Sequence, residues 1–174
     1  SRVYDGRKGE GVFLPMFFSP IRCRQVYVEG ITFENTPFWN VVPVYCDGVV
    51  IRGITVRSEK ILRGDGIDIE SSRNVLIEYC TLSCGDDCFT LKAGRCEDGL
   101  RVNRPTENIV IRYCLAQKGH GAITCGSETA GVIRNVYVHD CVFDGTDTGL
   151  RFKTRRNRGG GGENLVYERV RMSS

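Results

Sequence analysis

Six stretches of this 174-residue chain are variants of one pattern, and the repeat constrains the fold more than any other feature. CRQVYVEGITF begins at Cys23, CDGVVIRGITV at Cys46, SRNVLIEYCTL at Ser72, TENIVIRYCLA at Thr106, IRNVYVHDCVF at Ile133 and GENLVYERVRM at Gly162. Their starts are 23, 26, 34, 27 and 29 residues apart. A unit of this size cannot bury its own apolar face, so successive units must stack. The third position of each copy holds a turn-forming type: Gln25, Gly48, Asn74, Asn108, Asn135 and Asn164. Alternating apolar residues follow, and period two means a strand with one buried face.

Two inward columns emerge from the alignment. The first reads Ile31, Ile54, Cys80, Cys114, Cys141 and Val170, so its three cysteines replace aliphatic residues and are packing groups. The second pairs Ile67 with Ile69, Phe89 with Leu91, Ile123 with Cys125, and Leu150 with Phe152. The last two steps of this column, 34 and 27 residues, repeat those of the first, so both belong to the same coils. Val and Ile total 31 against 13 for Ala and Leu, a balance that favours pleated surfaces over helices. Coils of unequal length carrying several short strands predict an all-β fold, a right-handed, single-stranded parallel β-helix with negligible helix. The LxxLxL spacing of a leucine-rich repeat is missing. Residues 1–174 read as one domain, the central part of a β-helix truncated at both ends.

The longest coil step contains an insertion, Ala93–Pro105, that must loop out of the stack, and loops on rigid scaffolds commonly carry function. The segment RRNRGGGG at Arg155–Gly162 reads as a flexible basic loop. It lacks interleaved aromatics, which argues against a nucleic-acid surface. The longest apolar stretch, Val12–Phe18, is short and broken by Pro15, so no membrane insertion is expected, and the start shows no signal peptide. Arginine supplies 19 of 24 basic residues, whose planar forks suit carboxylates, although surface solubility accounts for most of them. Nine cysteines, with no CxxC pair, do not make a zinc site.

Polar residues converge beside the second column. Asp65 precedes Ile67 by two residues, as Asp87 precedes Phe89, so the two should stack on adjacent coils at about 4.8 Å. Asp86 lies one residue earlier, with His120 as its counterpart on the next coil. Arg151 and Lys153 alternate with Leu150 and Phe152 and point outward one coil further. Crowded carboxylates repel, and one of them should hold a proton near neutral pH. A protonated acid beside an ionised base is what glycosidic cleavage requires. Singly, each residue has a plainer reading. Asp beside Gly forms turns, His120 sits between glycines, and Arg151 and Lys153 have outward Asp68 and Glu70 as candidate partners. Their shared register is harder to explain that way.

GDGID at 64–68, GDDC at 85–88, GHG at 119–121 and RFKT at 151–154 resemble the ordered motifs NTDG, (G/Q)DD, GHG and RIK of glycoside hydrolase family 28, the polygalacturonases and related pectinases. Asn35-Thr-Pro-Phe-Trp39 also resembles the family's coil before the catalytic region, in its bacterial branch. The resemblance implies an inverting hydrolase of pectic polysaccharide, without metal or cofactor. It implies Asp86 as general acid, Asp65 and Asp87 as joint activators of water, and His120 as support for the acid. Arg151 and Lys153 would hold a substrate carboxylate. It also implies carboxyl separations in the wider, inverting range, an acidic pectic polysaccharide or oligosaccharide as partner, and a periplasmic or extracellular location. Arg63-Gly64 replaces the family's Asn-Thr, which points toward another uronate-bearing pectic glycan such as rhamnogalacturonan or an oligomer end. Two alternatives stay open: a β-helical polysaccharide lyase, which would need calcium and leave an unsaturated product, and a non-catalytic carbohydrate-binding β-helix.

Overall fold

The computed structural model describes residues 14–173, so Val12 and Phe13 of the apolar stretch noted above lie outside the described residues. The strands are β1 (Arg24–Glu29), β2 (Thr32–Glu34), β3 (Asp47–Arg52), β4 (Thr55–Ser58), β5 (Ile67–Glu70), β6 (Arg73–Glu78), β7 (Thr81–Cys84) and β8 (Phe89–Lys92). After a helix, α1 (Cys96–Val102), come β9 (Thr106–Arg112), β10 (Leu115–Gly126), β11 (Ile133–Asp144), β12 (Thr146–Lys153) and β13 (Gly162–Ser173). Every strand pairing is parallel and joins one coil to the next. One face of the resulting β-helix is β1, β3, β6, β9 and the first halves of β11 and β13. A second contains β2, β4, β7 and the start of β10. The third, which carries the polar motifs, is β5, β8, the end of β10, and β12.

Register explains the core. Ile51, Ile77, Ile111 and Val138 are direct partners on successive coils, and each is fully buried. Burying such a side chain contributes about 1.5–3 kcal/mol, and the interior is a pile of these rows. The turn column is as expected. Gln25, Gly48, Asn74, Asn108, Asn135 and Asn164 all take positive φ, and the four asparagines form a ladder of side-chain amide bonds of 3.1, 3.3 and 2.8 Å. Asn fits because it tolerates the left-handed conformation and its amide both donates and accepts.

The cysteines have a local logic. Cys80, Cys114 and Cys141 each follow a residue with positive φ, and each thiol donates to the carbonyl two residues back, at 3.2, 3.1 and 3.3 Å. Ser72 does the same after Ser71, at 3.0 Å. A small donor therefore gives the carbonyl before the sharp turn a second hydrogen bond, beside the backbone N–H that Glu70, Glu78 and Arg112 already accept from the neighbouring coil. All nine cysteines are unpaired.

Three expectations need correction. The Ala93–Pro105 insertion is not simply a loop, because it folds the seven-residue α1. Gly99 of that helix packs so closely on Gly94 and Ala130 that a Cβ would come within 2.6 Å of each. Seven residues with a central glycine are too short to show a helical period. RRNRGGGG is not a loose connection either. Gly161 N–H donates to Thr129 O at 3.1 Å, Thr129 Oγ1 donates to Gly159 O at 2.8 Å, and Arg158 reaches Glu128 at 3.2 Å. Finally, Ile31 and Phe152 point along the inward columns but are 49% and 60% exposed, at the first and last rungs of their faces. Much of the arginine excess serves coil-to-coil ion pairs, such as Arg73 with Asp47, Arg112 with Glu78 and Arg134 with Glu107.

The ladder gives a test. Asn108→Ala should lose about 1–2 kcal/mol, because alanine resists the left-handed conformation and has no amide. Asn108→Gly should recover part of that loss. Denaturant titration of the two variants checks it, and equal stabilities would show that the left-handed turn contributes nothing.

Candidate active site

The four motifs meet at one cleft of about 700 Å³, lined by Asp65, Asp86, His120, Arg151 and Lys153 together with Phe38, Trp39, Leu62, Arg63, Lys92, Arg95, Ser127 and Glu128. The pairing of Ile67 with Phe89 and of Phe89 with Ile123 puts Asp65 and Asp87 in line, with Asp86 beside His120. The backbone bonds agree: Gly66 N–H donates to Asp87 O at 2.9 Å, and His120 N–H to Asp86 O at 2.9 Å. The glycines of the motifs are required by contact. A Cβ on Gly66 would stand 2.6 Å from Cys88 O, and one on Gly121 would stand 2.2 Å from Thr124 Oγ1 and 2.9 Å from Asp87 Oδ1.

One oxygen of each of Asp65, Asp86 and Asp87 lies within 4.8 Å of the others. This is tighter than the separation of about 6.5–9.5 Å typical of two-carboxylate inverting sites, so the expected wider spacing is not what the coils provide. The three differ sharply in surroundings. Asp87 is fully buried, with Arg151 Nη1 at 3.0 Å from Oδ1 and Lys153 Nζ at 3.1 Å from Oδ2. Asp86 reaches the cleft, its side chain 20% exposed, with His120 Nδ1 at 3.3 Å and Lys153 Nζ at 3.7 Å. Asp65 is 3% exposed, and its Oδ1 has no hydrogen-bond partner. Burial, then the charges of Asp68, Asp86 and Asp87, push its carboxyl well above the usual carboxylate range in spite of Lys92. The surroundings of Asp65 therefore oppose its ionisation. A close carboxylate trio is also the donor type that cations favour, but at Asp86 and Asp87 the positive charge comes from Arg151 and Lys153.

Asp68 and Glu70 are not the partners of Arg151 and Lys153. Register places Asp68 in a row with Thr90, Thr124 and Arg151, and Glu70 in a row with Lys92, Gly126 and Lys153. Asp68 and Arg151 are therefore three coils apart. Although these positions face outward, Asp68 and Lys92 are both buried. Lys92 Nζ is 3.6 Å from Asp68 and 3.1 Å from Glu128, and it sits 4.6 Å from the centre of the Trp39 ring. Trp39 itself stacks on Phe38 at 4.8 Å. Asn40 clamps the Asp65 carbonyl with its backbone N–H at 3.0 Å and its side-chain amide at 2.8 Å.

Lys92, Glu128, Arg158 and Asn40 escaped the sequence reading. Lys92 had a legible signal, a cation in the outward phase of the Phe89–Leu91 strand. Glu128 and Arg158 stand on turns outside the repeat and had none.

Burial lifts the Asp68 carboxyl to about 7 against the pull of Lys92, and it lifts Glu70 to about 7 although Gly94 N–H donates to it. In the unfolded chain both would titrate near about 4. Between those values the folded chain binds more protons than the unfolded one, so stability falls as pH rises through that window. Denaturation midpoints measured across it should decline toward neutral pH, and Glu70→Gln should flatten the decline. An unchanged slope in that variant would remove Glu70 from the account.

A family model described as Glycosyl hydrolases family 28 matches residues 5–174. The chain is 37% identical over 148 residues to a "Probable polygalacturonase" of Vitis vinifera, a match covering 84% of this chain and 30% of that protein. It is 35% identical over 156 residues to an "Endo-polygalacturonase" of Pectobacterium carotovorum subsp. carotovorum, covering 88% of this chain and 36% of that protein. It therefore spans about a third of the length of these relatives. They come from a plant and a bacterium, so they do not single out the bacterial branch. Among solved structures, a hyperthermoactive exopolygalacturonase from Thermotoga maritima matches with a TM-score of 0.86 and 37% identity, over 94% of this chain and 40% of that one.

Proposed function

The chain belongs to glycosyl hydrolase family 28, and on that footing we propose that its cleft hydrolyses glycosidic bonds of acidic pectic polysaccharide, with Asp86 as general acid. The coils described here then form the central part of a longer catalytic β-helix. The observation that carries the reading is the unequal environment of three clustered carboxylates, two of them lining the cleft and Asp87 buried beside them. Asp86 is the member that a substrate can reach, and His120 beside it holds its geometry. Asp87 carries a cation on each of its two oxygens. Asp65 faces the same space from the neighbouring coil and shares with Asp87 the activation of water.

Stereochemistry follows from access. The short carboxylate spacing alone would fit a retaining enzyme, whose second carboxylate attacks the sugar directly. Here both Asp87 oxygens are taken by cations, and Asp65 is almost wholly buried. Neither is free to form a glycosyl bond, so water is the nucleophile and the product is inverted. Arg151 presents five donors and uses one on Asp87; its remaining donors and Lys153 supply the positive field for a uronate carboxylate. Pectic glycans lie outside cells, which supports a periplasmic or extracellular workplace. Among the described residues no helix is long and apolar enough to cross a membrane.

A lyase is separated by its product. Incubation with polygalacturonate and rhamnogalacturonan, with and without chelator, should release reducing ends without ultraviolet-absorbing unsaturated sugar, and chelator should not matter. Asp86→Asn in the full-length protein should abolish this release while circular dichroism stays unchanged, since an amide keeps the shape but has no acidic proton to give. Substantial residual turnover would remove Asp86 from the acid role. Arg151→Lys keeps the charge but loses the fork, and should lower kcat/KM on acidic glycans more than about tenfold with little effect on Tm. A lowered Tm with intact turnover would make Arg151 structural.

A further inference from the structure

If Asp65 helps activate water, as the hydrolase reading requires, it must act as a carboxylate, and most of its surroundings oppose that. It is 3% exposed, one oxygen has no partner, and Asp86 and Asp87 crowd it from the next coil. Arg151 and Lys153 make their ion pairs with Asp87 and Asp86. Lys92 lines the same cleft as Asp65 and, with its side chain 4% exposed, is the most deeply buried cation on that wall.

Lys92 is built as a fixed charge. Its side chain is 4% exposed. The ammonium donates to Gly126 O at 3.3 Å and to Glu128 Oε2 at 3.1 Å, stands 3.6 Å from Asp68 Oδ1, and sits against the Trp39 ring. Arg158 holds the other oxygen of Glu128 at 3.2 Å. So many anchors leave no freedom to turn into the cleft and grip a sugar. What the group exports is its field, and at 4% exposure that field is screened less than those of Arg151, Lys153 or Arg158, whose side chains are 32%, 35% and 14% exposed.

We propose that Lys92 is a positioning residue of the hydrolytic site: a buried ammonium, locked by Glu128, Gly126 and Trp39, that keeps the Asp65 carboxylate available as a base. The pinning of RRNRGGGG then has a purpose, because Arg158 fixes Glu128 and Glu128 fixes Lys92. The charged groups facing this pair are Asp68 and Glu70 from β5, Asp86 and Asp87 before β8, and His120 from β10. Glu128 beyond β10, Arg151 and Lys153 from β12, Arg158, and Arg63 and Arg95 on the cleft wall complete the set. Titration behaviour supports the pairing. Burial alone would lower the Lys92 ammonium, but Asp68, Asp65 and Glu128 hold it above the ordinary lysine range. In turn Lys92 is the group that draws Asp65 down.

The test is a carbon-13 titration of aspartate carboxyls in the full-length protein without substrate, with the Asp65 signal assigned by its loss in Asp65→Asn. In Lys92→Met the Asp65 midpoint should rise by about one pH unit or more, a tenfold change in proton affinity, and Lys92→Arg should restore it. The acid limb of kcat/KM on polygalacturonate should move by the same amount. A merely structural lysine would lower activity at every pH and leave the limb in place. If Lys92→Met does not fold, Lys92→Met with Glu128→Gln removes both charges of the buried pair and gives the same readouts. An unmoved Asp65 midpoint in the folded variant overturns the proposal while wild-type hydrolysis leaves the function intact. Absence of hydrolysis by the wild type overturns the hydrolase reading, and with it this role for Lys92.

Discussion

Parallel, in-register stacking of coils is the constraint on which everything else in this molecule depends. Each coil hydrogen-bonds to the next at a fixed spacing of about 4.8 Å, so a residue has its register partner directly above it and cannot choose another. Where the row is apolar, as in Ile51, Ile77, Ile111 and Val138, the arrangement builds a core without long-range chain reversals. Where the row is asparagine it builds an amide ladder. Where it is aspartate, it forces like charges together. The rule that stabilises the solenoid is the one that makes its acidic face electrostatically costly.

The fold meets that cost by bringing compensation from different distances. Lys153 and Arg151 come from β12, the last strand of that face, and lie on Asp87 and Asp86. Lys92 comes from the strand directly after the two aspartates and lies among Asp68 and Glu128. Breaking one partner of such buried pairs costs about 3–5 kcal/mol, which makes the cluster an interdependent unit. The outcome is a graded set of carboxylates: one at the cleft, one paired twice, one buried with an unpartnered oxygen. Three chemically identical side chains thus acquire three different behaviours from position alone.

Much of this was readable before any coordinates. The αL column, the strand phase, the thiol column and the alignment of Asp65 with Asp87 and of Asp86 with His120 are consequences of a period, and a period is visible in a string of letters. The helix α1 was not visible, because seven residues around Gly99 carry no repeat of their own. RRNRGGGG looked loose because composition reports the freedom of the chain and not what Thr129 and Glu128 do to it. Asp68 and Glu70 looked outward and solvated, since alternation gives direction but not cover.

By itself, then, the sequence determined the coil count, the strand faces and which residues share a row, because these follow from local propensity and from register between adjacent coils. Tertiary structure alone decided which cation meets which carboxylate. Arg151 is separated from Asp87 by 64 residues and Glu128 from Lys92 by 36, and Arg158 and Glu128 sit on turns that the repeat does not govern. Pairing of that kind depends on how far a long side chain reaches across coils and on which loops exclude water. Those are properties of a closed three-dimensional surface, and no one-dimensional period encodes them.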